Sequence, residues 1–276
     1  MGTGNIFCRI VIIMCFYCHQ TAAQSYHFHA ATMNFGESVT YDVYFKWGLI
    51  MSRAGDATFS YDSDYSVDNA SSRYRMLFKT VRFFDNFFKM RDTLNTYYND
   101  RHELIYSLKC SDEGGYYSID KLKFTHSKED SKIHSLRYTP SKVKIDTVIT
   151  AKGNITDLLG AVHYLRRLDR KKLKNGDTYP LTVVMGRDLV KIQFIYHNQA
   201  IVEREKVRYN TRYFVIDIYD EAFESSKTSA EVWLSDDDNF LPVKVRSKLK
   251  IGYVEVYYKE SSNLAHPMTC RITGKQ

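Results

Sequence analysis

From Glu37 to Trp47 the chain alternates Val39, Tyr41, Val43, Phe45 and Trp47 with Thr40, Asp42, Tyr44 and Lys46. A period of two over this length predicts a strand with one buried face. Runs of the same kind follow from Ala54 to Tyr61 and from Arg73 to Val81, around a polar turn at Asp62 to Asn69. Five more runs are Met90–Tyr98, Leu104–Cys110, Tyr116–Thr125, Lys132–Thr139 and Lys142–Thr150. Strands joined in sequence by short polar breaks predict an antiparallel meander. Phe83-Phe84-Asp85-Asn86-Phe87-Phe88 interrupts it, and its aromatics at spacings of three and four predict one helical turn plugging the core, with a lipid-contacting patch as the alternative.

One longer helix is expected, over about 156–173. Thr156 caps its start, Asp157 favours the first turn, and Leu158, Ala161, Val162, Leu165 and Leu168 form an apolar stripe that must dock on the sheet. Arg166, Arg167, Arg170, Lys171, Lys172 and Lys174 occupy its far side and last turn, where cations complement the helix dipole. Strands resume at Tyr179–Met185, Leu189–Asn198, Ala200–Tyr209 and Tyr213–Tyr219. The last stretch is the most regular. After Val232-Trp233-Leu234 and an acidic turn at Ser235 to Asn239, apolar residues fall on odd positions from Leu241 to Tyr253, with Lys244, Arg246, Lys248 and Lys250 between them. This predicts a long strand with a row of bases on its solvent face.

Composition fits this picture. Of 276 residues 44% are hydrophobic and 26% charged, ordinary values for a folded protein, while 22 Tyr and 16 Phe against 4 Pro suit pleated surfaces. The net charge of +7 draws the protein toward anionic partners without dictating a fold. At the N-terminus, Arg9, the apolar run Ile10–Tyr17 and Thr21-Ala22-Ala23 predict a secretory signal over 1–23, too short to span a bilayer. A lipid-anchored start is the alternative, although Cys15 and Cys18 follow bulky residues. No later stretch approaches membrane-spanning length. Cleavage would leave Cys110 and Cys270, which an oxidising compartment would let pair as a disulfide.

Direct chemistry is sparse. The chain has no GxSxG, HExxH, Walker or GxGxxG pattern. Asp62, Asp64, Ser66 and Asp68 mimic the start of a calcium loop but lack its glycine and closing glutamate, so a turn is expected. No metal or cofactor is implied. His27 and His29 belong to the chain's early segment, and Arg91-Asp92 reads as an ion pair within a strand.

The order of several motifs resembles the bacterial exported-protein family called domain of unknown function 3108. The C-terminal half carries Asp157-Leu158-Leu159 to Tyr164-Leu165-Arg166, Gly176-Asp177, Val232 to Asp237 with Asp236, Leu241-Pro242-Val243-Lys244 and Ile251-Gly252. The N-terminal half adds Phe35-Gly36-Glu37, Ala54-Gly55, Phe88 to Asp92, and Glu113-Gly114-Gly115-Tyr116. The resemblance implies a mainly β envelope protein: residues 24–276 as a single domain, with an extended, curved antiparallel sheet and one principal helix packed on it. It brings no catalytic residue, and the chain departs from the family pattern at Gly160 to His163.

The expectation is therefore a periplasmic, non-catalytic binding or chaperone-like module for an apolar or anionic molecule, lipid or envelope glycan, held against the concave sheet. Candidate contacts are Lys244, Arg246, Lys248, Lys250, Arg166, Arg167, Tyr164, Trp47 and Trp233. The alternatives are a hydrolase of envelope polymers, which needs paired carboxylates across a cleft, and a scaffold for envelope protein partners. Nothing in the sequence suggests nucleic acid.

Overall fold

The computed structural model describes residues 33–219, 227–249 and 252–272, so the expected leader, His27, His29 and Lys250 lie outside the described residues. Eight strands run as an antiparallel meander: β1 (Glu37–Trp47), β2 (Ile50–Ser63), β3 (Ser72–Thr80), β4 (Met90–Tyr98), β5 (Leu104–Glu113), β6 (Tyr116–His126), β7 (Ser131–Thr139) and β8 (Lys142–Ala151). A helical turn, α1 (Arg82–Asp85), links β3 to β4. Then come β9 (Ile155–Thr156), helix α2 (Leu158–Arg166) and a 3-10 turn at Arg170–Lys172. A second meander follows: β10 (Thr178–Met185), β11 (Asp188–Arg204), β12 (Val207–Tyr219), β13 (Lys227–Ser235), β14 (Pro242–Lys248) and β15 (Tyr253–Ser262), with a short β16 (Arg271–Ile272) beside β12.

Strand β1 pairs with β15, so the two meanders join into one sheet from β8 to β9, and its two ends curl toward each other. Ser135 Oγ on β7 donates to Gly186 O in the β10–β11 turn at 2.6 Å across the seam, giving a nearly closed barrel. Antiparallel order puts the β1–β2, β3–β4, β5–β6, β7–β8, β10–β11 and β14–β15 turns at one end, here the upper end.

Helix α2 lies inside and fills the lower half. Asp157 caps it by accepting from Gly160 N at 2.6 Å, and the same carboxylate accepts from Thr96 Oγ1 and Ser107 Oγ, both at 2.5 Å, which ties the helix start to β4 and β5. At the other end Arg166, 1% exposed, donates to both oxygens of Glu37, 2% exposed, at 2.6 and 3.2 Å, and to Asn239 O at 3.3 Å. His163 lies among the rings of Tyr98, Tyr74 and Tyr61, with Tyr98 nearest at 4.5 Å.

Several expectations change here. The helix is shorter than 156–173 and is enclosed rather than laid on a surface, so its buried set is Leu159, Gly160, Ala161, His163, Leu165 and Arg166, while Leu158 is exposed. Strand β11 runs on through Gln199, with a bulge between Tyr196 and Asn198, and the turn comes later, at Glu205-Lys206. The run from Leu241 to Tyr253 is two strands, because Leu249 N donates to Gly252 O and closes a turn. Gly252 rests so close to Lys46 that a Cβ would lie 2.2 Å from its carbonyl oxygen, a contact only glycine allows. The acidic turn is not solvated: Asp237 is buried and accepts from Ser235 Oγ and Asn239 N, and Arg170 and Arg212 neutralise Asp236. Phe83, Phe87 and Phe88 do not plug the core; all three are exposed.

The Cys110–Cys270 bridge is not formed, and both thiols are free. Cys110 follows Lys109 and precedes Ser111 on β5, so it faces away from Ser107 and the helix, whereas Cys270 is buried in the core with Tyr41 and Leu241. Side chains on opposite faces of a sheet are out of bridging reach.

Candidate functional site

Directly opposed residues share a sheet face, so the lining of the barrel can be followed from strand to strand. Tyr196, Phe214, Val232, Val245, Val256 and Val43 are successive partners from β11 to β1, an unbroken apolar wall. From β3 onward the same face turns polar. Phe78 opposes Asp92, Asp92 opposes Ser111, and Ser111 opposes Ser118. One step lower, Lys109 opposes Asp120, which opposes and pairs with Arg137.

The two ends of the barrel differ. Val39 and Leu234, toward the lower end, and Phe214 at mid-height are sealed by α2 and the 236–241 turn. Higher up, Phe78, Ile216, Val245 and Val254 are only partly buried. The interior is thus a cup, plugged below and open above.

The polar wall holds an unusual pair. Asp92 Oδ1 and Ser111 Oγ are buried and lack hydrogen-bond partners, although they are cross-strand neighbours. Lys109 Nζ lies 3.9 Å from Asp92 Oδ2 and 3.4 Å from Glu113 Oε1. Burial raises the Asp92 pKa above the usual carboxylate range; Lys109 opposes the rise and Glu113, hydrogen-bonded to it, adds to it. Beyond Arg137, at the seam, a cleft of about 350 Å³ is lined by Tyr116, Lys144 and Arg187 among others, with Asp188 as its one acid.

Arg91 does not pair with Asp92, since neighbours on a strand point to opposite faces. It donates instead to Asp85 at 2.6 Å, and with Thr80 it holds the Asp85 carboxyl down at about 2, which locks α1 onto β4. Gly114 and Gly115 take positive φ in the β5–β6 turn, and a Cβ on Gly114 would strike Phe88 at 2.8 Å, so this turn seats the α1 segment. Asp177 accepts from Lys174 N and shapes a turn.

The basic row faces away from the apolar wall. Lys244 lies 4.8 Å from the Trp233 ring and 5.5 Å from that of Tyr257, while Arg246 is flanked by Glu231 and Glu255 at 3.7 and 3.6 Å and stacks on Tyr253. Only Lys248 of the described members is exposed. Arg166 and Arg167 do not join this row, because α2 lies on the opposite face of the sheet; Tyr164 stacks on Phe194 in the core. Trp47 projects at the upper end.

Pattern alone had no means of marking Lys109, Ser111 and Ser118. They read as ordinary strand positions until the register places them beside Asp92. Among the described residues no cluster of His, Cys, Asp and Glu suits a metal ion, and no helix is long and apolar enough to cross a membrane.

The family described as Protein of unknown function (DUF3108) matches residues 40–259. A β-barrel-like protein of domain of unknown function DUF1849 from Brucella abortus, known from its crystal structure, shares the fold at a TM-score of 0.52 and 9% identity, over 82% of this chain and 97% of its own. No curated protein matches.

Proposed function

Starting from a chain that belongs to the DUF3108 family, we propose a non-catalytic binding protein of the bacterial cell envelope, exported to the periplasm, that holds an amphipathic molecule in the open half of its barrel. The observation that carries this reading is the change of the inner face from apolar to polar at Phe78 and Asp92, where two buried polar atoms stand unpartnered. Each such atom costs roughly 1–3 kcal/mol, and a ligand hydroxyl or amine that donates to Asp92 and accepts from Ser111 removes that cost. Apolar chains then lie along Val43, Val245 and Val256, and an anionic group fits the bases of the seam cleft, Arg137, Lys144 and Arg187. Most ligand sites combine an apolar lining with a few placed polar groups in this way.

The test is competitive displacement of an environment-sensitive anionic amphiphile, anilinonaphthalene sulfonate, from delipidated protein. Single-chain and double-chain lipids extracted from the native envelope should displace it at one site per chain. Asp92→Asn with Ser111→Val should weaken displacement by about tenfold. A folded double variant with unchanged displacement would remove the polar wall from the site, and no saturable dye binding by the parent would refute the reading.

A further inference from the structure

Exposed large apolar side chains are unevenly distributed over this barrel. The β1–β2 turn presents Trp47, Leu49 and Ile50, at 62, 103 and 67% exposure, and α1 with its following turn presents Phe83, Phe87 and Phe88. Leu249 and Tyr116 belong to the two adjoining turns. These four turns are tied together by contact. The β14–β15 turn rests on the β1–β2 turn where Gly252 meets Lys46, Val81 N donates to Ala54 O between β3 and β2, and Phe88 packs on Gly114. They form one continuous apolar arc along the upper rim.

Exposed bases flank two parts of that arc. Arg82 and Lys89 bracket the phenylalanines, Lys248 precedes Leu249, and Lys79 leads into α1. Of the rim acids of the same arc, Asp85 is held by Arg91, and Asp112 meets Lys89 only at 3.8 Å, a long and half-exposed contact that a lipid phosphate can replace. Asp220, Glu221 and Glu224 of the β12–β13 connection lie outside the described residues. An edge of aromatic and aliphatic side chains with lysine and arginine beside them matches the chemistry of a membrane interface: rings and chains enter the acyl boundary while cations meet lipid phosphates. Monomeric proteins rarely leave a contiguous apolar patch of this kind without a partner.

We infer that the upper rim docks on an anionic lipid bilayer, with the Trp47–Ile50 tip and the Phe83–Phe88 segment inserted to the headgroup boundary and Arg82, Lys89 and Lys248 on lipid phosphates. Docking would place the open end of the cup against the lipid surface. The inference rests on the binding reading for its purpose, but its geometry is independent of it.

Trp47 and Trp233 are the only tryptophans, so Trp233→Phe leaves a single reporter at the rim. With vesicles of phosphatidylglycerol and phosphatidylcholine, Trp47 emission should shift to the blue and be quenched by lipids brominated near the headgroup end of the chain. Leu49→Ser with Ile50→Ser, or Phe83→Ser with Phe87→Ser, should lower vesicle affinity by about tenfold or more, with thermal stability retained because these side chains are exposed. Raising salt should weaken the association. Unshifted Trp47 emission with no co-sedimentation overturns the inference, as does equal binding to pure phosphatidylcholine for the charged part. Dye displacement that persists while Trp47 stays silent would remove docking and leave the binding reading standing; the converse would remove the binding reading alone.

Discussion

Glu37 opens the first strand and Arg166 ends the plug helix, so replacing one carboxylate tests whether the helix is held where the structure puts it. Both side chains are almost wholly buried, and the guanidinium spans Glu37 and the Asn239 carbonyl. Burial pushes the Arg166 pKa down, yet Glu37 and then Tyr74 outweigh it and raise it, so the charge stays in the core. Glu37→Gln keeps the shape and removes the partner. Breaking a buried pair from one side costs about 3–5 kcal/mol, because the remaining charge is uncompensated. At roughly 2–4 °C per kcal/mol for a chain of this size, the melting temperature should fall by about 6–20 °C. Glu37→Leu with Arg166→Met removes both charges and should recover most of the loss. Urea and thermal unfolding of the parent, Glu37→Leu, Arg166→Met and the double variant complete the double-mutant cycle. Single changes that each cost under about 1 kcal/mol and simply add would refute the reasoning.

Three further outcomes are expected. Burial, then the charges of Arg167 and Arg166, hold His163 well below its ordinary value, so only the unfolded chain takes up its proton below about pH 6.5. Stability contributed by the neutral ring is complete above that pH and falls by about 1.4 kcal/mol for each unit below it, a slope that His163→Phe should flatten in pH-dependent melting curves. Arg246→Glu sets an acid between Glu231 and Glu255, and chemical unfolding should show a loss on the order of 3 kcal/mol; Lys248→Glu, at the exposed end, should cost little. Thiol labelling of the exported, unreduced protein should find Cys110 and Cys270 both free after denaturation and Cys270 unreactive before it, since it is 1% exposed and burial raises its pKa.

Most of the barrel was legible because its two meanders obey a period of two. Glu37–Trp47 and Met90–Tyr98 occupy the strands that alternation marks, and Thr139-Pro140 breaks where β7 ends. The misread places share a cause: tertiary contact overrides local pattern. Glu205 and Lys206 form a tight turn with positive φ at both residues, a conformation their side chains do not advertise. Leu249 continues the alternation of β14, yet the chain reverses there because Gly252 meets Lys46. Enclosed by the sheet, the helix buries Arg166, read as a surface base, and leaves Leu158 at its start exposed, whereas Ala161, Leu165 and Leu168 of the apolar stripe are buried as the pattern predicts. The candidate site was legible only in part. Asp92 and Glu113 stood out within motifs, but their meeting with Lys109 and Ser111 is a matter of register across β4 and β5.

The central claim is that the open half of the barrel carries an amphipathic molecule. Native mass spectrometry of the protein purified from its own cell envelope addresses it most directly. The account predicts one discrete adduct per chain, with an apolar chain and an anionic or hydroxylated head, lost from the Asp92→Asn, Ser111→Val protein. A folded parent protein that carries no adduct, and takes none up from total envelope lipid, would contradict it.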